Sequence, residues 1–123
     1  MLFRSYSNFV TPPDFVADQF PTILLIDLDW VHVDQLAIWC KSAPLNLNIY
    51  IYQDIMLNEA WLMDAINRSQ TIIMNTAESA IDHVKNQLIK APNVWYYGEK
   101  KFLGNQQKID NPLDWFIKTY GNG

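Results

Sequence analysis

Four short apolar runs, each rich in β-branched or aromatic residues, constrain the fold of this chain more than any other feature. They span residues 22–27, 47–52, 71–75 and 93–97. Runs of about five or six such residues have the composition and length of β-strands. The first and third runs are continuously apolar and do not alternate with polar residues, which is typical of strands covered on both faces. We therefore expect a buried sheet.

Helical spacing occupies the segments between these runs. Apolar residues recur three or four positions apart, as on the buried face of a helix. Three such stripes are Val33, Leu36, Ala37 and Cys40; Trp61, Leu62, Ala65 and Ile66; and Ala77, Ile81, Val84 and Leu88. A fourth, short helix is predicted to begin at Asn111-Pro112, where asparagine caps and proline fits the first turn, and to end at Gly121.

The predicted order is therefore βαβαβαβα, with connections of roughly 15 to 20 residues, each long enough for one helix. Strand–helix alternation predicts a parallel sheet with right-handed connections and helices on both faces. We expect a three-layer α/β sandwich whose short four-stranded sheet has the flavodoxin-like strand order 2-1-3-4.

A chain of 123 residues fits a single domain. Residues 22–97 form its predicted core. Residues 1–21 read as an N-terminal arm, and we expect it to be docked because it contains five aromatic residues: Phe3, Tyr6, Phe9, Phe15 and Phe20. Residues 98–123 are predicted to form a polar loop followed by the C-terminal helix.

The charge is unevenly distributed along the chain. Residues 1–67 contain two basic and eight acidic residues, a net charge of −6, whereas the remainder carries +2. A duplex-DNA binder needs a dense cationic face, because neutralising phosphates supplies most of its non-specific affinity. We therefore expect no DNA partner.

Cysteine content and targeting signals place further limits on the chain. Cys40 is the only cysteine, which excludes an internal disulfide and a multi-cysteine zinc site. The apolar stretch 23–28 is too short and too interrupted to span a bilayer, and the N-terminus lacks the pattern of a signal peptide. We expect a cytoplasmic protein without a metal ion, a cofactor or a membrane partner.

The carboxyl ends of the predicted strands are where a ligand is expected. Open parallel sheets bind ligands beyond these ends, at the point where strand order reverses. Here that point lies between the first and third strands. The polar and aromatic residues at the strand exits are Asp27, Asp29 and Trp30 after the first, Gln53 after the second, Asn75, Thr76 and Glu78 after the third, and Tyr97 at the end of the fourth.

Each candidate also has a structural interpretation. Asp27 or Asp29 suits the N-cap of the first helix. Asn75 and Glu78 match a capping box, in which asparagine caps and glutamate reaches back. Trp30 suits a residue that covers the edge of the core, as well as one that stacks on a base or sugar.

Glycine-rich phosphate-binding loops are absent from the sequence. Neither the G-x-G-x-x-G fingerprint nor a Walker A motif occurs, and only four glycines are present. Carboxylates such as Asp27 and Asp29 would also repel a phosphate. A nucleoside, a sugar or a cationic partner therefore suits these strand ends better than a bare phosphate.

The segment from Ile49 to Glu78 resembles the small α/β domains of nucleoside 2-deoxyribosyltransferases and the related TIR-like group. The matching features are a strand, a helix carrying Trp61-Leu62-Met63-Asp64-Ala65-Ile66, and the run Thr71-Ile72-Ile73-Met74-Asn75. The resemblance implies a catalytic glutamate near a helix at the strand-end cleft, where it attacks or stabilises a ribosyl carbon. Glu78 matches that position, whereas the glycine-rich early turn of those families is missing.

Two functions follow as expectations. The first is a small-ligand domain for a nucleoside or nucleotide that acts at an N-glycosidic bond, with Glu78, Asp29 and Asp27 as catalytic carboxylates. Gln53, Asn75 and Thr76 would then orient the ligand, and Trp30 or Tyr97 would stack on the base. The alternative is a non-catalytic protein-interaction module, such as an adaptor, inhibitor or structural subunit. For that function Ile38 and Trp39 mark a contact for a partner or a second copy of the chain.

Overall fold

The structure, a computed structural model, describes residues 7–17, 19–42, 46–76, 80–98 and 107–121. The strands are β1 (Ser7–Val10), β2 (Thr22–Ile26), β3 (Leu47–Tyr52), β4 (Thr71–Asn75), β5 (Val94–Tyr97) and β6 (Gln107–Lys108). The helices are α1 (Trp30–Ser42), α2 (Glu59–Arg68), α3 (Ala80–His83), α4 (Lys85–Lys90) and α5 (Pro112–Tyr120), and a 3₁₀ turn spans Asp54–Met56.

A single parallel sheet with the strand order β1-β3-β2-β4-β5-β6 forms the centre of the molecule. The α/β class and the parallel sheet are therefore confirmed, and the four predicted strands are neighbours in the predicted order. The prediction of a four-stranded sheet is wrong, because the sheet has six strands.

The two additional strands pair at the edges of the sheet. β1 lies in the segment predicted as an arm, and it pairs with β3 from Ser7 opposite Leu47 to Val10 opposite Tyr50. β6 lies in the segment predicted as a polar loop, and only Gln107 and Lys108 pair with β5. Both strands are short and lack a continuous apolar run, so their side chains gave no strand pattern.

Side chains on the two faces of the sheet form two separate apolar clusters. Leu24 and Ile26 of β2 belong to one cluster with residues of α2 and α4. Ile23 and Leu25 belong to the other with residues of α1 and α5. Because successive strand residues point to opposite faces, helices cover both faces, and the continuous apolar run of β2 is buried along its whole length.

The region before β2 packs closely against α2. The Phe15 ring stacks on the Trp61 ring with centroids 5.4 Å apart, and the Arg68 guanidinium lies 4.2 Å from the Phe15 centroid. The Trp61 indole N–H donates a hydrogen bond to the Asp14 carbonyl (2.8 Å). These contacts agree with the expected docking of this region, although its Ser7–Val10 segment is a strand of the sheet.

The helices near the C-terminus agree only in part with the predicted ones. The predicted third helix is two short helices, because Val84 between them has φ −120° and ψ 21°, outside the helical region. α5 begins as predicted: the Asn111 side chain accepts hydrogen bonds from the N–H groups of Leu113 and Asp114. Its last turn closes with a hydrogen bond from the Gly121 N–H to the Ile117 carbonyl (2.7 Å).

Among the described residues, no helix has both the length and the apolar character needed to cross a membrane.

Tyr120 at the end of α5 gives the fold a pH dependence. Burial raises the pKa of the Tyr120 hydroxyl above 10.0, although a hydrogen bond with the Thr71 side chain partly opposes this. A group whose pKa is raised in the folded state contributes stability below its unfolded pKa and loses it as pH rises through the folded value. Above about pH 10 the phenol of the unfolded chain ionises, so we expect the free energy of unfolding to fall less in Tyr120→Phe than in wild type. Urea denaturation from pH 8 to 11 measures this difference. Equal losses in both proteins would contradict this.

Candidate functional site

An open cleft lies at the carboxyl ends of β2 and β3. Its volume is about 510 Å³, which is within the range of small-molecule sites. The loop after β2 and the 3₁₀ turn after β3 supply its lining residues: Asp27, Leu28, Asp29, Trp30, Gln53, Asp54, Ile55 and Leu57. Four residues predicted from the sequence, Asp27, Asp29, Trp30 and Gln53, therefore meet in one cavity. The cleft lies on the β3 side of β2, whereas the sequence placed the ligand between β2 and β4.

Asp27 holds the two loops of the cleft together. Its N–H donates to the Tyr52 carbonyl (2.8 Å), and its Oδ1 accepts a hydrogen bond from the Asp54 N–H (2.7 Å). The side chain is buried, and the backbone is left-handed with φ 57°. Aspartate enters this region more readily than most residues. Asp27 thus fixes where the 3₁₀ turn lies relative to the end of β2.

Asp29 places a carboxylate on the exposed side of the cleft. It immediately precedes α1, and its carbonyl accepts hydrogen bonds from the N–H groups of His32 and Val33. Its own N–H donates to the Tyr97 hydroxyl (3.2 Å), which links the loop to β5. The backbone of Asp29 is therefore held by both α1 and β5 while its side chain stays exposed.

Trp30 and Gln53 flank these carboxylates. Trp30 is 54% exposed, so it does not serve mainly to cover the edge of the core. The Gln53 Nε2 donates to the Leu28 carbonyl (2.8 Å), and this bond ties the loop after β3 to the loop after β2. The cleft thus combines an aromatic face with a positioned amide and several carboxylates.

Two apolar residues that line the cleft, Ile55 and Leu57, were not predicted as site residues from the sequence. Both are highly exposed, and Leu57 has a left-handed backbone with φ 50°. Their positions could have indicated exposed apolar residues, because neither residue fits the helical stripe of Trp61 and Leu62 or the alternation of a strand. Asp27 and Leu57 are the two non-glycine residues with positive φ in the described part of the chain, and both line the cleft.

Three further predicted residues, Asn75, Thr76 and Tyr97, are not among these lining residues. Asn75 and Thr76 are buried, and the Thr76 hydroxyl donates to the Tyr97 carbonyl (3.1 Å). Tyr97 is also buried, and its hydroxyl lies 3.4 Å from His32 Nδ1. Through these contacts Tyr97 connects β5 to the loop after β2 and to α1. Glu78 lies outside the described residues, so the capping box that pairs it with Asn75 stays a prediction.

The described lining of the cleft is acidic. Among the described residues it includes Asp27, Asp29 and Asp54 and no lysine, arginine or histidine. Within the described residues, no group of three or more His, Cys, Asp or Glu side chains is arranged to hold a metal ion. A second, smaller cleft of about 270 Å³ at the start of α5 carries both signs, with Lys108, Lys118, Asp110 and Asp114 among its lining residues.

Comparisons with known proteins do not assign the chain to a family. No protein-family model matches the chain, and no curated protein matches it. The shape, charge and aromatic content of the cleft therefore carry the functional assignment.

Proposed function

We propose that the cleft after β2 and β3 binds a nucleoside. The observation that carries this proposal is the cleft of about 510 Å³ in which the exposed Trp30 ring lies with Asp29 and Gln53. Base–aromatic stacking contributes about 1–3 kcal/mol per base. Ribose hydroxyls are hydrogen-bond donors, and the Asp29 and Asp54 carboxylates are acceptors of such bonds. The site therefore offers a partner for each half of a nucleoside.

The carboxylates favour a nucleoside over its phosphorylated form. With three aspartates and no basic side chain among the lining residues that the structure describes, a phosphate would meet like charges there. The described part of the lining also contains no glycine-rich loop of the kind that cradles phosphates. A nucleoside avoids both penalties.

The proposed reaction is cleavage or transfer at the N-glycosidic bond. The bond between C1′ and the base nitrogen breaks, the base leaves with the electron pair and takes up a proton, and water (cleavage) or a second base (transfer) adds to C1′ and gives up a proton. As the base departs, positive charge develops on the ribosyl carbon, and a nearby carboxylate stabilises that charge. Asp29 is the carboxylate we assign to this role, because it is exposed in the cleft and its backbone is fixed by Tyr97. Asp27 accepts the hydrogen bond from Asp54, and we assign it to holding the loops. Glu78 stays a second catalytic candidate by resemblance.

Calorimetric titration with adenosine, guanosine, cytidine and uridine tests the proposal. We expect binding of at least one nucleoside, weaker binding of its 5′-monophosphate, and a loss of affinity of roughly 5- to 150-fold in Trp30→Ala, since stacking contributes about 1–3 kcal/mol. Ile38→Ala, on the exposed side of α1, is the matched control.

Absence of binding by all four nucleosides, or equal binding by Trp30→Ala, would overturn the proposal. The reaction is tested separately by measuring the release of free base from the nucleoside by chromatography. Asp29→Asn and Glu78→Gln are compared there, and base release that is unchanged in both variants would contradict the proposed carboxylate chemistry.

The second function that we propose is that of a protein-interaction module. We also propose a cytoplasmic location for the protein. The exposed apolar surface favours it: Ile38 is 68% exposed on α1. Trp39 belongs to this face only in part, since its ring packs edge-on against Phe116 at 6.4 Å. If two copies associate through this face, sedimentation should show a concentration-dependent dimer in wild type and a monomer in Ile38→Asp. A wild-type monomer at all concentrations would exclude self-association.

A further inference from the structure

We propose that the mouth of the cleft is a docking surface for a basic, amphipathic segment of another protein. Its apolar part is the cleft rim, defined as Trp30, Ile55 and Leu57, and its charged part is the pair Asp29 and Asp54. This inference goes beyond nucleoside binding, because it adds Ile55 and Leu57 and a protein partner, although Trp30, Asp29 and Asp54 are shared with the proposed nucleoside site.

The exposure of the cleft rim is the first observation. Trp30 is 54% exposed, Ile55 84% and Leu57 85%, and all three line the same cavity. Single exposed apolar residues are ordinary on protein surfaces, whereas clusters rimmed by polar residues mark interaction sites. Tryptophan is also among the residues enriched at binding hot spots. The rim therefore has the composition of an interface.

The backbone of Leu57 is the second observation. With φ 50° it lies in the left-handed region, where a side chain with a Cβ is disfavoured and glycine is accepted. Its side chain is almost fully exposed, so packing within the chain does not offset this strain. Strained residues of this kind cluster at binding sites and ligand clamps. A leucine held outward at such a position suits an anchor for a partner.

Charge complementarity identifies the occupant. Within the described part of the chain, the lining carries three aspartates and no basic side chain, and residues 1–67 carry a net charge of −6. Nucleic acids and anionic membrane surfaces are repelled by such a surface. A protein segment that presents lysine or arginine beside apolar side chains satisfies both the carboxylates and the rim, and opposite charges also accelerate the encounter.

Selection from a random peptide library displayed on phage tests this inference with the full chain. We expect enriched peptides to carry a net positive charge next to aliphatic or aromatic residues, and to bind less tightly as ionic strength rises. Leu57→Gly should bind them at least tenfold more weakly, although its denaturation midpoint should rise because the strain is removed. That gain in stability separates loss of the anchor from misfolding.

Ile89→Ser is the matched surface control, because Ile89 lies on α4 and is 44% exposed, and this variant should bind the peptides as wild type does. Asp29→Asn with Asp54→Asn tests the charge, and this double variant should also bind at least tenfold more weakly. Enrichment of neutral or acidic peptides, unchanged binding by Leu57→Gly, or no enrichment would overturn the inference. Failure of nucleosides to bind while these peptides bind would reject only the proposed function.

Discussion

Replacing Trp61 with alanine is expected to lower the free energy of unfolding by about 3–5 kcal/mol, the range for large aromatic residues in cores. Trp61 is 4% exposed, and its ring contacts those of Phe15, Tyr50 and Tyr52. Its indole N–H also donates to the Asp14 carbonyl. The residue therefore joins α2, β3 and the segment before β2. A loss of this size is a large part of the roughly 5–15 kcal/mol that stabilises a domain.

Trp61→Phe is the matched control for that experiment. Phenylalanine preserves an aromatic ring beside Phe15 but removes the hydrogen bond to Asp14, so we expect a loss of only about 1–2 kcal/mol. A double-mutant cycle that combines Trp61→Ala with Phe15→Ala, measured by urea denaturation, should give a coupling energy of about 0.5–1.5 kcal/mol for the stacked pair. Additive losses would show that the segment before β2 is not held through this contact.

Replacing Asp27 with alanine is expected to lower the free energy of unfolding by about 2–4 kcal/mol, because the part-buried Asp54 N–H loses its acceptor and alanine tolerates the left-handed backbone poorly. Asp27 is 4% exposed, its Oδ1 accepts that bond at 2.7 Å, and its φ is 57°. The 3₁₀ turn should also lose its fixed position. Nucleoside and peptide binding should therefore weaken together with stability.

Asp27→Asn separates geometry from charge. Asparagine keeps a side-chain oxygen that accepts the hydrogen bond and enters the left-handed region readily, so we expect a loss of about 1 kcal/mol or less. Urea denaturation measures both variants. A cost for the asparagine variant as large as for alanine would show that the charge of Asp27, and not its hydrogen bond, holds the loops.

Half of the candidate site could be predicted from strand ends alone. Asp27, Asp29, Trp30 and Gln53 follow neighbouring parallel strands, and the carboxyl ends of such strands lie at one edge of a sheet. Ile55 and Leu57 could not be placed in this way, because their exposure depends on a 3₁₀ turn and on the Asp27–Asp54 hydrogen bond. The role of Tyr97 was also hidden, since its hydroxyl contacts residues more than sixty positions away.

The sequence by itself determined the α/β class, the four central strands and the start of α5. These features depend on local patterns: continuous apolar runs, helical spacing, and an asparagine followed by proline. Only the tertiary structure decided the edge strands β1 and β6, which form through backbone pairing with β3 and β5 and need no apolar pattern of their own. It also decided the cleft, because hydrogen bonds between loops distant in sequence set its shape and leave its apolar rim exposed.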